Sequence, residues 1–538
     1  MKILAGRYNY FFLLILVFLV AEIIVNPIGD FPLNDDWSYA KAVYYSMTDH
    51  YTIGHFGAMT LFTHVAWGML FVKIFGFSFN VLRLSTFISV LIGLFFMDKL
   101  IFKITGNKLS GFLAGLVLLF NPLFFNLSNT FMTDVNFNTL LILCCYFAFC
   151  FFETGKFLNV VIFSILAALM VLLRQFGIIV PVCFMIACLF RKEKKLLSFS
   201  VSVLVALFVY FCLYTYEKYL KGILPEGSSY KFSGGVHVSD PEFWKMFSYN
   251  FGERYKILLV QLGVYLAPFA AFYLIPLLRS FKTYSSVVIV LLSVYVVHLA
   301  FKDVRFPFQN IFENMWLGPE TFYQSLSGAK GHLYSETFIS VMKIVKYVFM
   351  SVTFSTLSLY IFSLFRQNKP ERLFRSDPVL VFLVVFMLAY VFMIFITESY
   401  FDRYYIPLIC VGLVLMAFIN KKQVGDYKLV LILLLPLCYV SVFGTKDYLT
   451  WNRVRWQAYA FLKETKGATA EKVNGGFELN CWNDRQQTWW GNYLSVDNFD
   501  YLIQFDPEPG FEVLKEYEFQ RYFPFRKDKL FIFKNSTK

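Results

Sequence analysis

Residues 9–40 read NYFFLLILVFLVAEIIVNPIGDFPLNDDWSYA. An apolar run over 9–28, interrupted only by Glu22, gives way within a few residues to two adjacent carboxylates, Asp35 and Asp36, beside Trp37. A helix of about 20 apolar residues crosses the hydrocarbon core of a bilayer, so this stretch places an acidic pair just outside a membrane span. Similar runs recur at 79–97, 109–127, 134–152, 158–173, 177–190, 197–216, 257–278, 284–301, 337–365, 378–397, 403–419 and 429–444, which makes thirteen expected spans. The stretch 56–75, with His55, His64 and Lys73 in or beside it, is expected to lie in the interface. The chain is 58% hydrophobic and holds 67 phenylalanines, well above the roughly 45–50% apolar content of a soluble domain. The expected fold is an all-α polytopic membrane protein over 1–444, with a small external α/β domain over 445–538.

Charge supplies an independent test of this topology, because short cytoplasmic loops accumulate Lys and Arg. With residue 1 inside, the cytoplasmic segments are 1–9, 98–109, 153–157, 191–196, 279–283, 366–377 and 420–428. They hold 19 Lys and Arg against 6 Asp and Glu, and so carry the whole net charge of +13. A basic balance confined to cytoplasmic loops excludes nucleic acid as the partner. An odd number of spans puts the tail outside, along with loops 29–78, 217–256 and 302–336. The expected location is the plasma (inner) membrane, with the N-terminus cytoplasmic and the C-terminal domain periplasmic or extracellular. Of the nine cysteines only Cys481 falls in the tail, so no disulfide is expected within it. The first apolar run lacks a small-residue cleavage site and reads as a retained anchor. In the tail, 447–465 reads as a helix, and KVNGGFELN, YLIQF and EVLKEYEFQRYFPFRKDKLFIFK as strand-like segments.

Every polar cluster of chemical interest lies on the external side. Asp134 opens a span in NTFMTDVNFNTLL; Arg174 and Gln175 break two apolar runs in LLRQFG; Arg403 and Tyr404 stand at the outer end of a span in ESYFDRYYIPLI. A lone charge near the membrane is costly or shifts its pKa, so acids placed there have partners or a task. A guanidinium fork matches phosphate oxygens at two points. Asp35, Asp36 and Asp134 are therefore the candidate catalytic acids, and Arg174, Gln175 and Arg403 the candidate phosphate ligands. Trp37, Tyr39, His55 and Tyr404 are the candidate pocket lining. Asp36, His55 and Asp134 could together hold a divalent metal. Acids beside arginines suit transfer of a group from a lipid-linked phosphate to a hydroxyl or amine.

In order along the chain, the acidic pair, the interfacial helix followed by FGFSFNVLRLS (75–85), FMTD (131–134), LLRQFG (172–177) and DRYYIPL (402–408) resemble the GT-C membrane glycosyltransferases. The resemblance is to family-39-type enzymes, similar to protein O-mannosyltransferases and the lipid A aminoarabinose transferase, and covers about residues 9–420. It implies a polyprenyl-phosphate sugar donor, undecaprenyl in bacteria and dolichyl in eukaryotes, and inverting transfer to a lipid, glycan or protein acceptor at the outer face. Asp35 or Asp36 would be the essential first-loop acid, as general base or metal ligand. Asp134 would be the second acid, with Arg174 and Arg403 near the donor phosphate. The pair here is Asp-Asp where the protein mannosyltransferases have Asp-Glu, and GHFGAM stands where bacterial relatives have a proline-rich turn. The tail shows no sugar-binding repeat of the eukaryotic kind, which favours a bacterial enzyme.

The alternative is a transporter or flippase of a lipid-linked sugar. Transporters carry charges at mid-membrane depth, whereas here the acids cluster at outer ends and Glu22 is the obvious intramembrane charge. In detergent, an enzyme should release free polyprenyl phosphate from a labelled donor; activity that needs sealed vesicles would instead mark a transporter.

Overall fold

The structure is a computed structural model and describes residues 9–54, 57–224, 228, 230, 241–308, 310–316, 336–366, 377–397, 400–421, 423, 425–483, 499–505, 510–523 and 525–535. Among these, seven helices are long and apolar enough to cross a membrane: Thr133–Thr154, Lys195–Leu220, Thr283–Phe301, Thr337–Arg366, Pro378–Phe395, Asp402–Ile419 and Lys428–Lys466. Two further spans arise if each bent helix pair counts as one: Lys108–Leu119 with Pro122–Ser128, bent by 72°, and Pro241–Tyr265 with Ala267–Arg279, bent by 67°. The protein is thus an all-α polytopic membrane protein with seven to nine candidate spans among the described residues, against the thirteen expected. Part of the difference is length. The expected spans 9–28, 158–173 and 177–190 are helices Tyr10–Val25, Phe157–Val171 and Gln175–Cys188; none exceeds 17 residues, about 25 Å at 1.5 Å per residue, short of the roughly 30 Å hydrocarbon core.

The breaks have local causes. Asn121 Oδ1 accepts hydrogen bonds from the Leu123 and Phe124 amides at 3.0 and 3.1 Å, and Pro122 fills the first helical position. That N-cap, followed by a proline that cannot continue the preceding helix, forces the sharp bend. At the expected break near 174, a single 3-10 turn, Gln175–Ile178, separates two apolar helices. The expected loop 217–256 is helical from Pro241 onward, and 29–78 holds two helices, Asp36–Thr48 and Phe62–Phe75. The helix Thr133–Thr154 is central, packing against Phe79–Thr105, Phe157–Val171 and Ile406–Ile419. Its contact with Phe79–Thr105 is close: a Cβ on Gly93 would lie 2.9 Å from Thr139 Oγ1, and that hydroxyl donates to the Ser89 carbonyl at 2.9 Å. Small residues and interhelical hydrogen bonds of this kind hold membrane helices together where lipid supplies no hydrophobic drive.

The tail departs from expectation at its start. The last apolar run and the helix expected over 447–465 are one element, the 39-residue helix Lys428–Lys466, so the boundary set at 444/445 falls inside a continuous helix. KVNGGFELN is a two-residue strand, β1 (Val473–Asn474), followed by a helix, Phe477–Asn483: Gly475 and Gly476 end the strand, and Gly476 has φ +87°, a conformation glycine adopts without strain. The other strands agree with the sequence: β2 (Tyr501–Gln504), β3 (Phe511–Tyr522) and β4 (Phe525–Asn535). Sheet order is β1-β2-β4-β3, with β1 parallel to β2 and the remaining pairs antiparallel.

One buried carboxylate fastens this sheet to the long helix. Asp447 accepts from Arg521 Nε at 3.0 Å and from the Tyr522 and Phe523 amides at 2.6 and 3.0 Å. Both side chains of the ion pair are excluded from solvent, and removal of one partner strands the other charge at a cost of about 3–5 kcal/mol. Arg521→Ala should therefore lower the melting temperature measured in detergent. An unchanged melting temperature would show that Asp447 does not fasten the sheet.

Candidate active site

The first loop is wound around Arg83, which lies buried in the helix Phe79–Thr105. Its guanidinium donates to the carbonyls of Pro27 at 3.2 Å, Gly29 at 2.5 Å and Phe31. Asp30 accepts from the Phe79 amide at 2.7 Å, and Asn80 Oδ1 from the Gly29 amide at 2.8 Å. The chain then turns at Asn34, whose φ of +55° is left-handed, a conformation asparagine tolerates better than most residues. That turn sends the two neighbouring aspartates to different surroundings.

Asp36 points inward. It is fully buried, with Oδ1 accepting from the Leu33 amide at 2.6 Å and Oδ2 from the Phe131 amide at 3.2 Å. Burial pushes its pKa up to about 8, opposed by the charge of Arg83 and by the two amides. Asp35, directly before the helix Asp36–Thr48, makes no side-chain cap. Its carboxylate is 28% exposed and meets Arg403 Nη2 at 3.0 Å.

The second pair lies beside the first. Asp134 sits in the first turn of Thr133–Thr154, where the helix dipole favours an anion, and meets Arg174 Nη2 at 2.8 Å. Arg174 also donates to Thr133 Oγ1, from Nε at 2.9 Å and Nη2 at 2.5 Å. Tyr39, buried one turn along from Asp35, feels the charges of Asp35, Arg403, Arg174 and Asp134 together, and burial raises its phenol above the usual range. Arg403 in turn is within electrostatic reach of Asp134 and Arg174. The carboxylates at 35 and 134 therefore converge, each with its own guanidinium. Two acids against two arginines leave the cluster balanced. One donor remains unused: Arg403 Nε is buried with no hydrogen-bond acceptor among the described residues.

The other expected residues divide. Tyr404 stands beside the Arg403 guanidinium, whose central carbon is 5.9 Å from its ring. Gln175 donates to the Ala58 carbonyl at 3.3 Å and so ties the break between two apolar helices to the first loop. Trp37, expected in the pocket, packs instead edge-on against Phe477 at 5.9 Å and beside Cys481, because it projects from the helix Asp36–Thr48 towards the tail. His55 lies outside the described residues. Of the expected metal set, Asp36 uses both oxygens on amides and Asp134 faces Arg174; among the described residues, which do not include His55, no group of three or more His, Cys, Asp or Glu is arranged to hold a metal.

Sequence reasoning missed three supporting residues. His64 stacks on Phe131 at 4.1 Å; one ring nitrogen bonds the Phe131 carbonyl at 3.1 Å and the other Asn136 Nδ2 at 2.8 Å. Asp402, next to Arg403, accepts from the Ile311 and Phe312 amides at 3.2 and 2.9 Å, and this brings Asn310 Oδ1 to 3.4 Å from Arg403 Nη1. Arg83 could have been singled out as a lone cation among apolar residues; His64 and Asp402 carry no such signal.

Residues 64–216 match the sequence profile of the family described as dolichyl-phosphate-mannose-protein mannosyltransferase. That segment contains Asp134 and Arg174, and the match agrees with the resemblance read from the motifs. Among solved structures, the chain is similar to ArnT from Cupriavidus metallidurans. Against ArnT bound to undecaprenyl phosphate it has 11% identity and a TM-score of 0.45, with 99% of each chain covered. Against the apo state it has 12% identity and a TM-score of 0.42, with 97% of each covered. No curated protein sequence matches.

The position of Asp36 predicts a pH effect on stability. Its folded pKa, about 8, lies above the ordinary 3.8, so between these values the folded chain keeps a proton that the unfolded chain has lost, and stability falls as pH rises through this window. Melting in detergent should show this decline in the wild type and a shallower one in Asp36→Asn. Parallel curves would show that Asp36 titrates normally.

Proposed function

We propose that this protein is a glycosyltransferase that moves a sugar from a polyprenyl-phosphate carrier to a lipid, glycan or protein acceptor at the outer face of the membrane, with inversion at the anomeric carbon. The observation that carries the reading is the pair of adjoining carboxylate–guanidinium contacts, Asp35 with Arg403 and Asp134 with Arg174. The family match over 64–216 supports it. In this reading the short apolar helices complete about thirteen crossings, the N-terminus is cytoplasmic, and the first loop and tail share the outer side.

Of the two first-loop acids, Asp35 is the base. A general base must reach the proton it removes; Asp35 keeps one side open, whereas both oxygens of Asp36 are held by amides. Asp35 takes the proton of the acceptor hydroxyl or amine as that atom attacks the anomeric carbon. The bond from that carbon to the phosphate oxygen breaks on the opposite side, and polyprenyl phosphate leaves with one more negative charge than the phosphate bore in the donor.

Stabilising that added charge is the task of the arginines. While Asp35 is ionised it holds Arg403; once protonated it holds Arg403 less strongly, and the guanidinium, with Nε still unused, is left to the departing phosphate. Arg174 keeps Asp134 and Thr133 as fixed partners and contributes a positioned cation that need not reorganise during the reaction. Tyr39 and Tyr404 form aromatic walls beside the reacting groups.

Asp35→Asn preserves size and removes the base. Release of polyprenyl phosphate from a labelled donor in detergent should fall by about 10²–10⁴-fold, the usual contribution of a general base, in protein that still melts cooperatively. Full activity in Asp35→Asn would overturn the reading.

A further inference from the structure

The tail does more than cap the bundle: one of its carboxylates holds the backbone next to Asp35. Glu478, in the helix Phe477–Asn483, is fully buried. Its Oε1 accepts from the Asn34 amide at 3.2 Å, and its Oε2 meets Arg455 Nη1 at 2.8 Å. Arg455 belongs to the long helix Lys428–Lys466. It is itself fully buried, and its other terminal nitrogen donates to Asn452 Oδ1 at 2.5 Å. Asn34 is the left-handed residue of the turn, and its Oδ1 accepts from the Asp35 amide at 2.8 Å. A continuous path of hydrogen bonds thus runs from the last helix of the bundle through Glu478 and Asn34 to the backbone of Asp35.

Two neighbouring contacts reinforce the attachment. Lys41 Nζ donates to the Cys481 carbonyl at 2.7 Å, and Trp37 packs on Phe477. These side chains leave the helix Asp36–Thr48 towards the tail, while Tyr39 and Asp35 serve the cluster with Arg403. A buried carboxylate bonded to a buried guanidinium has little freedom to move, because any departure leaves an unpaired charge in a dry interior. It is therefore well suited to fixing a backbone amide.

We propose that Glu478, held by Arg455, is a positioning residue that sets the direction of the Asp35 carboxylate towards Arg403, so that the tail is part of the catalytic assembly. The catalytic consequence rests on the transferase reading above; the grip on the loop does not. Displacement of a reacting group by about 1 Å can cost about 10²-fold in rate. In the full chain, Glu478→Ala should lower kcat for polyprenyl phosphate release by that order with little change in KM for the donor. Glu478→Gln, which keeps an acceptor for the Asn34 amide, should recover part of the loss. Arg521→Ala loosens the same tail at a site remote from Asn34 and should lower the melting temperature while leaving kcat near the wild-type value. Equal losses of kcat in Glu478→Ala and Arg521→Ala would overturn the proposal, since general loosening of the tail would then be the cause.

Hydrogen exchange separates this proposal from the transferase reading. Peptides covering 31–36 should exchange faster in Glu478→Ala than in Arg521→Ala or the wild type, whether or not transfer is detected. Unchanged exchange in these peptides would overturn the proposed grip, even in an active enzyme.

Discussion

The carboxylate of Asp36 joins the two halves of the site. Its oxygens accept the amides of Leu33 and Phe131, residues almost a hundred positions apart and belonging to separate membrane-associated segments. Phe131 is gripped twice, since His64 takes its carbonyl. Three residues further on stands Asp134. A polar group taken out of water must be satisfied by hydrogen bonds, and by satisfying itself this way Asp36 locks the first loop to the start of the central helix. The convergence of Asp35 and Asp134 follows from that lock.

Around it the site is built from opposed requirements. The arginines need acids to be tolerable near a membrane, yet a phosphate ligand needs donors that are not fully occupied. The cluster meets both: Arg174 is hydrogen-bonded to Thr133 with Asp134 2.8 Å away, while Arg403 bonds a part-exposed Asp35 and retains an unused Nε. Asp402 serves Arg403 at one remove, by fixing the backbone of Ile311 and Phe312 and so the neighbouring Asn310. For the group transfer proposed above, a cation with a donor left unused suits a charge that exists only part of the time.

The tail illustrates why domain boundaries read from hydropathy can mislead. Hydropathy falls near residue 445, but the helix continues to Lys466, and beyond that point it carries Asp447 and Arg455, which fasten the sheet and Glu478. The change in composition marks where the helix surface turns from apolar to polar. It does not mark where the helix ends, since backbone hydrogen bonding is indifferent to whether the surrounding side chains face lipid or protein.

Much was legible in the sequence. Runs of apolar residues announce a polytopic helical protein because a bilayer imposes one length and one polarity on whatever crosses it. Acids and arginines in such a chain stand out because so few are tolerated, and Asp35, Asp134, Arg174 and Arg403 were all identifiable on that ground. Their pairing was not legible. Asp35 and Asp36 are chemically identical neighbours, and only the left-handed turn at Asn34, with the amides of Leu33 and Phe131 nearby, separates a buried structural strut from a part-exposed carboxylate paired with Arg403. Trp37 and Glu478 likewise acquired their places from the packing of the tail against the first loop. Composition fixes what each residue can do locally; partners hundreds of positions distant depend on how the helices cross, and only the folded chain decides that.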